Sequence, residues 1–572
     1  MSDQPEKRSV AVIGLDGATI DLIKQWAGEG KLPAMARLME EGAFGHLETI
    51  PNQNSAPAWT SFMTGKNPGK HGIYHFYERE ENGYGIRYVN GGDCKAEPIW
   101  TLLSNANKKV CVSNVPMTYP APEVDGILIS GMDAPGVVSE GFTYPREFVN
   151  ELLENVPDYV VEPGITTFFN NKQYDKAIEM ASDSIVARGE AARYLQHNYP
   201  WDFFMVVFRE SDVISHYFWK PMEDGPNGED KLLSEYHDTI LKIYQKLDDE
   251  IAKIVADLPE DCYVVLMSDH GFGLAEDGPP YVNHVLRHAG LLEYRGQGAD
   301  SNQARPSLKR MIMGTALGLV QQYTSRRTKE ALLRLFPKVR DRLEAQKYFS
   351  AIDWERTKVY GEGTRIELWV NMKGRDPLGT VAPGADYDEL CAGLKKLLYQ
   401  WHEPTSGKPV IKAVFTKEEV YSGACAERAP DILFHFHDDV KVTGIDLIDE
   451  DGNKQSVSVP DNVMDILHVN GAHRDTGTFM IKGPGIKAGQ EITGASIMDL
   501  TPTILYIMQQ AVPDDMDGKV LLDAFEDDFK RANSVTTREA SDFKGGSSSG
   551  GKNYDADEEK QIEERLKGLG YL

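Results

Sequence analysis

Residues 10–17, Val-Ala-Val-Ile-Gly-Leu-Asp-Gly, form an apolar run that ends in a carboxylate and a glycine. An unbroken run of this kind is typical of a central strand of a parallel sheet, which is buried on both faces. The runs 203–208 and 262–267 have the same form; the first ends shortly before Asp212, and the second leads to Ser268 and then Asp269-His270. Charged side chains at strand ends usually belong to a functional site.

Helical patterns alternate with these strands, at about 20–41, from Ser55 to Thr64, at 231–257 and at 499–509. Strands alternating with helices predict a doubly wound α/β fold, in which a mostly parallel sheet is sandwiched by helices. Functional residues are expected at the carboxyl ends of its strands.

The chain has 572 residues, which indicates roughly two to four domains. We expect four segments: a first part of the core at 8–294, an inserted cap at 295–440, a second part of the core at 441–530, and a flexible linker with an acidic helical tail at 531–572. The cap is predicted because a basic helical block and renewed mixed α/β character interrupt the rhythm of the core there. Its strand candidates are 358–360, 366–370, 410–415 and 432–436.

Composition excludes several classes of protein. A formal net charge of −27 disfavours nonspecific binding of nucleic acid by the whole surface. The five cysteines are scattered without a CxxC pair, which favours a reducing compartment over a disulfide framework or a cysteine zinc site. No secretory signal and no run of about 18 apolar residues is visible. We therefore predict a soluble, cytoplasmic protein without a transmembrane segment.

Five short motifs supply carboxylates, imidazoles and one hydroxyl. They are Gly-Leu-Asp16-Gly, Asn-Ser55-Ala-Pro-Ala-Trp-Thr, Asp212-x-x-x-His216, Ser-Asp269-His270-Gly and Gly-Ala-His473-Arg. Aspartate and histidine are ligands for divalent metals, zinc first and manganese second. Two such ions can clamp the attacking and leaving oxygens of a phosphoryl transfer and activate a serine hydroxyl.

Each motif alone has an ordinary structural explanation. Asp16-Gly after a strand is more often a turn than a ligand, and Ser55 beside Ala-Pro is usually a helix cap. Asp212 and His216 have the spacing of an exposed helical pair, and a lone His473 is unremarkable. The joint occurrence of the motifs carries the hypothesis of a site.

The segment from Asn54 to Ile73, Asn-Ser-Ala-Pro-Ala-Trp-Thr-Ser-Phe-Met-Thr-Gly-Lys-Asn-Pro-Gly-Lys-His-Gly-Ile, resembles the nucleophile segment of the alkaline phosphatase superfamily. The likeness is to its type I phosphodiesterase / nucleotide pyrophosphatase branch. The motifs around Asp212, Asp269 and His473, together with Ile497 to Tyr506 and Asp515 to Leu521, are also similar to this family. The resemblance covers most of residues 8–525.

The resemblance implies an alkaline phosphatase-like fold and an enzyme with two divalent metal ions. Asp16, Asp269 and His270 would bind one ion, with Ser55 bridging to it. Asp212, His216 and His473 would bind the other. Ser55 would attack phosphorus in line and form a phosphoseryl enzyme, which water then hydrolyses. The substrate would be a phosphate ester: a nucleotide, a lipid headgroup or another small diester.

One position departs from the family pattern. Nucleotide pyrophosphatases carry an asparagine shortly after His-Gly-Ile that helps to hold a phosphate oxygen, and Phe76 stands there in this chain. Recognition of that oxygen must use other residues, for which Asn54, His75 and Arg474 are candidates. The departure weakens the case for a nucleotide substrate.

Several alternatives remain. A phosphomonoesterase or phosphonate hydrolase would use the same two-metal centre. A sulfatase is disfavoured because Trp59 stands where that pattern requires arginine, and a cofactor-independent phosphoglycerate mutase because its large insertion follows the nucleophile. A different class, a catalytically lapsed binding or scaffold protein, is disfavoured because all six metal positions and the hydroxyl are present.

Two further segments carry hypotheses of their own. Between Arg305 and Lys347 there are eleven Lys/Arg and three acidic residues, which either solvate cap helices or attract a polyanionic or lipid-headgroup substrate. The apolar segment 311–320 within this basic block would form a hydrophobic wall for a lipid tail or pack in the cap. The tail 552–572 follows a Gly/Ser linker and predicts an amphipathic helix that docks on its own domain or on a second subunit, giving a homo-oligomer.

Overall fold

The computed structural model of the protein describes residues 8–80, 83–228, 230–275, 281–295, 351–362, 365–459, 470–541, 543 and 554–568. The basic block 305–347 and the apolar segment 311–320 lie outside these residues. Within the described part of the chain, every helix is too short or too polar to cross a bilayer.

The strands of the described residues are β1 (Val10–Leu15), β2 (Ala43–Glu48), β3 (Tyr77–Arg79), β4 (Ile86–Tyr88), β5 (Val110–Val115), β6 (Gly126–Ser130), β7 (Thr143–Tyr144), β8 (Phe203–Phe208), β9 (Tyr263–Met267), β10 (Gly271–Leu274), β11 (Val359–Gly361), β12 (Glu367–Val370), β13 (Trp401–His402), β14 (Ile411–Thr416), β15 (Ile432–Phe436), β16 (Ile445–Ile448), β17 (Lys454–Val457), β18 (Gly471–Arg474), β19 (Thr476–Lys482), β20 (Gln490–Ser496), β21 (Val512–Pro513) and β22 (Thr537–Arg538).

The α-helices of the same residues are α1 (Ile20–Gly28), α2 (Pro33–Glu41), α3 (Ser55–Thr64), α4 (Pro68–His71), α5 (Ile99–Asn105), α6 (Phe148–Asn155), α7 (Ile165–Asn170), α8 (Tyr174–Asn198), α9 (Glu210–Asp224), α10 (Lys231–Ser234), α11 (Thr239–Ala256), α12 (Val282–His288), α13 (Ala385–Tyr399), α14 (Lys417–Val420), α15 (Leu500–Ile507), α16 (Asp527–Ala532) and α17 (Ala556–Gly568).

A nine-stranded sheet forms the centre of the molecule, in the order β20-β2-β19-β9-β1-β8-β5-β6-β7. The five strands from β9 to β6 are parallel to one another, and β19 runs antiparallel to both of its neighbours. Helices α2, α8 and α11 pack together on the sheet, as do α3, α5 and α15. This confirms the doubly wound, mostly parallel α/β fold predicted from the sequence.

The apolar run 10–15 is the central strand because it is hydrogen-bonded on both edges and fully buried. Val10 is paired with Phe203 on one side and with Tyr263 on the other, and all six residues of β1 are buried. The register brings the carboxyl ends of β1, β8 and β9 to one edge of the sheet.

The helical patterns predicted at 20–41 and 231–257 are each divided into two helices, so the single long helix expected at 231–257 was wrong. The pattern at 20–41 is interrupted at Gly30, which has φ +73° in the left-handed region that glycine adopts without a steric penalty. The pattern at 231–257 stops at Ser234, whose carbonyl is bonded by Nδ1 of His237. A side chain that binds a terminal carbonyl helps to end a helix.

A second apolar cluster gathers residues between Tyr281 and Leu447, together with Tyr84. Its sheet has the order β11-β12-β15-β14, and β13, β16 and β17 form a smaller one. All four strand candidates proposed for the inserted segment lie within one residue of β11, β12, β14 and β15. The domain limits 8–294, 295–440, 441–530 and 531–572 stay a prediction.

The tail helix α17 docks on its own chain. Ile562 and Leu566 are buried in the main apolar cluster. The Arg565 guanidinium donates to the carbonyls of Ala134, at 2.6 Å, and Pro135, at 3.0 Å. The Tyr554 hydroxyl donates to the carbonyl of Asp133 at 2.6 Å.

Candidate active site

Three of the predicted ligand motifs lie at one edge of the parallel sheet. Asp16 directly follows β1, and Asp269 and His270 follow β9 after Ser268. Asp212 lies in the first turn of α9, which begins two residues after β8 ends. Neighbouring parallel strands have their carboxyl ends at the same edge of the sheet. The carboxylates that follow these strands therefore lie close together, although they are more than 50 residues apart in sequence.

His216 and His473 complete this edge from two other elements. His216 lies one helical turn after Asp212 on α9, so both side chains share one face, as the spacing predicted. His473 lies on β18, which pairs with β10 and sets His473 opposite Phe272. The β10–β18 ribbon follows His270 directly, and this connection brings the distant His473 back to the sheet edge.

Asp16, Asp269 and His270 form what we call the two-aspartate set. Nε2 of His270 lies 3.5 Å from Asp16 Oδ1 and 3.3 Å from Asp269 Oδ2. One potential ligand atom from each residue lies within 4.8 Å of the others. All three side chains are buried.

Asp212, His216 and His473 form the two-histidine set. Asp212 Oδ1 lies 3.1 Å from His473 Nε2 and 3.5 Å from His216 Nε2, and the two imidazole nitrogens are 3.2 Å apart. His270 links the sets, since its Nε2 lies 4.0 Å from Asp212 Oδ1. The structure thus brings all six predicted ligands into one cluster.

Ser55 lies between these residues as the first residue of α3. Its Oγ is 3.1 Å from His270 Nε2 and 3.4 Å from Asp16 Oδ1, and its side chain is fully buried. The preceding residue Asn54 caps the helix by accepting from Ala56 N. A helix start also directs backbone N–H groups toward a bound anion.

The imidazoles are oriented as metal ligands are. Each one has its Nδ1 against a backbone carbonyl: His216 against Gly471 at 3.0 Å, His270 against Gly271 at 3.0 Å, and His473 against Gln53 at 2.6 Å. A ring that donates from Nδ1 keeps the lone pair on Nε2, and Nε2 is the atom that faces the carboxylates in all three cases.

Two carboxylate oxygens at the centre of the cluster accept no aligned hydrogen bond among the described residues: Asp212 Oδ1 and Asp269 Oδ2. Buried oxygens of this kind are costly unless a cation occupies the space between them. Together with the imidazole orientation, they fit a site for divalent metal ions.

The electrostatics of the two sets differ. Burial and the charge of Asp212 raise the pKa of Asp16 to about 7, and burial and Asp16 raise the pKa of Asp269 well above its usual range. Burial acts in the same direction on Asp212, but the imidazoles of His216 and His473 outweigh it and lower its pKa. The carboxylates of the two-aspartate set therefore ionise less readily than Asp212 does, and a bound cation would favour their ionised form.

The three candidates for phosphate-oxygen recognition are divided. Asn54 directly precedes Ser55, and its Nδ2 lies 2.7 Å from Nε2 of His75; both residues are buried. Arg474 follows His473 on β18 and donates to the carbonyl of His473 at 2.9 Å and to Asp438 at 3.1 Å. Successive strand residues point to opposite faces, which turns Arg474 away from His473.

Sequence reasoning missed the residues that hold the ligands in position. Trp59 Nε1 donates to Asp16 Oδ2 at 3.3 Å, Gly17 N donates to Asp269 Oδ1 at 3.1 Å, and Ser211 Oγ donates to the carbonyl of Asp16 at 2.6 Å. The contribution of Trp59 could have been predicted from the helical pattern, because Trp59 lies one helical turn after Ser55. Gln53, whose carbonyl binds His473, had no such signal.

A doubly wound sheet with aspartates, histidines and one buried serine at its carboxyl edge is the arrangement of a metal-dependent hydrolase. The family model "Type I phosphodiesterase / nucleotide pyrophosphatase" matches residues 10–458. The chain belongs to this family and is an enzyme that hydrolyses phosphoric ester bonds, which confirms the resemblance found in its sequence.

A search of the curated proteins finds no match to this sequence. Similar solved structures include phosphonoacetate hydrolase from Sinorhizobium meliloti 1021 in complex with phosphonoformate: 12% identity, TM-score 0.49, covering 88% of this chain and 95% of that chain. Human ectonucleotide pyrophosphatase / phosphodiesterase 5 is 14% identical, with a TM-score of 0.45 and 90% and 98% covered. An inactive form of its murine counterpart, in complex with AMP, is 12% identical, with a TM-score of 0.44 and 91% and 100% covered. Likenesses this distant transfer no substrate.

Proposed function

We propose that the chain is a two-metal phosphodiesterase in which Ser55 is the nucleophile. One observation carries the proposal: the Ser55 hydroxyl, at a helix start, lies within 3.4 Å of both Asp16 and His270, where the two ligand sets meet. A hydroxyl surrounded by aspartate and imidazole ligands can be activated for attack on phosphorus.

Asp16, Asp269 and His270, with Ser55, would hold one divalent ion, and Asp212, His216 and His473 the other. When bound, such ions lower the pKa of a serine hydroxyl and neutralise charge on the phosphoryl group. Zinc is proposed first because half of the ligands are imidazoles, and manganese second because the other half are carboxylates.

The reaction then has two steps. Ser55 Oγ attacks phosphorus in line and the bond to the leaving oxygen breaks, so that a phosphoseryl enzyme forms; the Ser55 proton passes to solvent, and the leaving oxygen takes a proton from solvent to depart as the alcohol. Water next attacks the same phosphorus, the bond to Ser55 Oγ breaks, and the water gives up a proton while Ser55 Oγ regains one, so that the phosphoester product leaves and Ser55 is restored. Backbone N–H groups at the start of α3 would bind a non-bridging oxygen in both steps, with Asn54 and His75 beside them.

The direct experiment is acid quench of the enzyme during turnover of a chromogenic diester, followed by mass spectrometry of the peptide that carries Ser55. We expect phosphoserine at this position. Phosphate on another residue would contradict the assignment of Ser55 as the nucleophile. So would the absence of any phosphorylated residue when the kinetics show a burst.

The alternatives within the family are a phosphomonoesterase and a phosphonate hydrolase. A panel of a diester, a monoester, a phosphonate and a sulfate ester with the same leaving group separates them, because the two-metal centre is common and only the relative kcat/KM differs. We expect the diester to rank first; a lapsed scaffold would turn over none of them and would bind no metal.

The remaining proposals concern the cellular compartment, the substrate and the oligomeric state. All five cysteines are free, which supports a reducing, cytoplasmic compartment. The substrate would be a nucleotide, a lipid headgroup or another small diester. If the block 305–347 attracts that substrate, neutralising Arg326, Arg327 and Lys329 should change KM and its dependence on salt. If the tail joins subunits, deleting residues 552–572 should lower the mass of the particle to fewer subunits; an unchanged number of subunits would rule this out and would agree with docking of α17 on its own chain, which its contacts support.

A further inference from the structure

Gln53 has an unusual backbone conformation two residues before the proposed nucleophile. Its φ is +50°, in the left-handed region that is unfavourable for a residue with a Cβ atom. A residue keeps such a conformation where its surroundings fix it, and residues of this kind cluster at functional sites. The carbonyl of Gln53 lies 2.6 Å from Nδ1 of His473, so the unfavourable conformation coincides with the acceptor that orients a proposed metal ligand.

Asp475 binds the side chain of the same glutamine. The Gln53 amide donates from Nε2 to Oδ1 of Asp475. The backbone of Asp475 also contacts this segment, since its carbonyl accepts from Thr49 N at 2.8 Å. Asp475 lies between β18 and β19, two residues after His473. One short stretch of chain therefore carries both His473 and the residue that binds Gln53.

Two side chains of the second sheet hold Asp475 in turn. Lys412 on β14 pairs with Asp475 Oδ2 at 2.9 Å, and His435 on β15 has its Nδ1 3.2 Å from Asp475 Oδ1. The other ring nitrogen of His435, Nε2, lies 2.6 Å from the carbonyl of Pro51. Both strands belong to the segment predicted as an inserted cap, which thus contacts the chain on either side of Asn52.

The donors and acceptors of this network are compatible. The Gln53 amide nitrogen and the Lys412 ammonium group donate, and the Asp475 carboxylate accepts from both. His435 faces two acceptors, so its two hydrogen bonds form together when both ring nitrogens carry hydrogen. In that form the positive charge of the ring lies against the Asp475 carboxylate.

His473 differs from the other two ligand histidines in where its acceptor comes from. His216 and His270 face the carbonyls of Gly471 and Gly271, which belong to the β10–β18 ribbon itself. The acceptor for His473 lies instead in the segment before α3, and that segment is in contact with the second sheet.

We propose that Asp475 is a positioning residue for His473: held by Lys412 and His435, it fixes Gln53 so that the Gln53 carbonyl directs the imidazole toward the two-histidine set. The inference rests on the proposed function, in which His473 binds a metal ion. It gives the inserted segment a part in the geometry of the metal centre.

Asp438 provides a matched control. Among the described residues its ion pairs are with Arg474, at 3.1 Å, and with Lys412, at 3.6 Å. It is therefore an aspartate of the same charged cluster, and neither of its pairs includes Gln53 or His435. Asp438→Ala removes a carboxylate from the cluster and keeps the bond between Asp475 and Gln53.

The first test uses the full-length, metal-free protein labelled with nitrogen-15 histidine, in which the His473 signals are identified by their loss in His473→Gln. We expect a hydrogen on Nδ1 that exchanges slowly with water. Its exchange should be about 5-fold faster in Asp475→Ala, the scale of one weakened hydrogen bond, and unchanged in Asp438→Ala. A ring without hydrogen on Nδ1 in the unsubstituted protein would overturn the proposal, even if Asp475→Ala does not fold. So would equal exchange in the unsubstituted protein and Asp475→Ala.

The second test measures zinc affinity by equilibrium dialysis, one ligand set at a time. The Asp269→Asn background reports the two-histidine set, and the His216→Ala background reports the two-aspartate set. Loss of a partner that orients a ligand lowers affinity about 10- to 100-fold, and Asp475 acts one bond further away, so we expect a loss of about 10-fold. The loss should occur only in the Asp269→Asn background. No loss there, or an equal loss in both backgrounds, would overturn the proposal.

Three further variants, measured in the Asp269→Asn background, trace the path of the effect. Asp475→Asn keeps an oxygen that accepts from Gln53 and should recover most of the zinc affinity. Gln53→Ala removes the side chain through which Asp475 acts, so adding Asp475→Ala to it should cost nothing more; a second loss as large as the first would refute that path. His435→Ala should reproduce part of the loss, and unchanged affinity would refute the contribution of the inserted segment.

Failure of the proposed function is a separate outcome. Unsubstituted protein that binds no zinc, or turnover retained by Ser55→Ala, would refute the metal centre or the nucleophile and leave the exchange result for His473 standing. Two zinc ions per chain in the unsubstituted protein, with unchanged affinity in Asp475→Ala, would refute the role of Asp475 alone.

Discussion

The two-aspartate set and the two-histidine set lie side by side around Ser55 and differ in charge balance. The first has two carboxylates and one imidazole, and its aspartate pKa values are raised by burial and then by a neighbouring carboxylate, Asp212 for Asp16 and Asp16 for Asp269. In the second, two imidazoles face one carboxylate, and the pKa of Asp212 is lowered. The comparison teaches that the two-histidine set compensates the charge of its own carboxylate, whereas the two-aspartate set depends on a cation from outside.

The largest effect is expected from the residue where the sets meet. Ser55→Ala should lower kcat at least about 1000-fold, because a missing nucleophile cannot be replaced by its surroundings. The histidine set should keep its metal, which elemental analysis measures together with the unfolding midpoint. Ser61→Ala is the control, since Ser61 is a buried serine of the same helix bonded to His71 instead. Turnover retained by Ser55→Ala would contradict the nucleophile.

Loss of a ligand should separate the two sets. Loss of a residue that orients a ligand lowers metal affinity about 10- to 100-fold, so loss of a ligand itself should exceed about 100-fold. We expect Asp269→Asn to empty the two-aspartate set and His216→Ala the two-histidine set, each leaving one ion per chain in equilibrium dialysis. Two ions per chain in both variants would refute the ligand scheme.

The stability of the metal-free protein should depend on pH through the two-aspartate set. Asp16 has a folded-state pKa of about 7 against 3.8 when unfolded. Between these values the unfolded chain releases a proton that the folded chain keeps, so the free energy of unfolding falls as pH rises, by on the order of 4 kcal/mol. Denaturant titrations of the metal-free protein measure it.

Asp16→Asn is the control for that dependence and should reduce the fall between pH 4 and 7, since an amide does not titrate, and should leave the part that comes from Asp269. Saturating metal should also abolish the fall, because the ion holds the carboxylates ionised. An unchanged fall in Asp16→Asn would assign the pH dependence to other groups.

The smallest effect is expected from the loss of a hydrogen bond that holds a ligand of the two-aspartate set in position. Trp59→Phe removes the hydrogen bond to Asp16 Oδ2 and should weaken metal binding in the two-aspartate set about 10-fold, with the two-histidine set unaffected. Trp100→Phe is matched to it, because the Trp100 ring nitrogen is buried without a hydrogen-bond partner among the described residues. Equal losses in both variants would show a packing effect rather than an effect on Asp16.

Much of the fold could be predicted because its signals are local. The runs 10–15 and 203–208 are apolar without interruption, which is typical of a strand buried on both faces. Ser55 to Thr64 and the pair Asp212 and His216 follow the period of a helix. The divisions at Gly30 and after Ser234 were missed, since apolar periodicity continues across both and only backbone conformation and a side-chain contact end the helices.

The six candidate ligands could be named from the sequence, because aspartates and histidines occur at strand ends and in motifs that resemble those of the family; that they bind metal ions stays a prediction. Their division into a self-compensated set and a set that needs a cation arises in three dimensions, since it depends on burial and on distances of 3–4 Å between distant segments. The same holds for Arg365, which has no motif around it. It contacts His75, which is 290 residues away in sequence, and pairwise contacts of that kind exist only once the chain has folded.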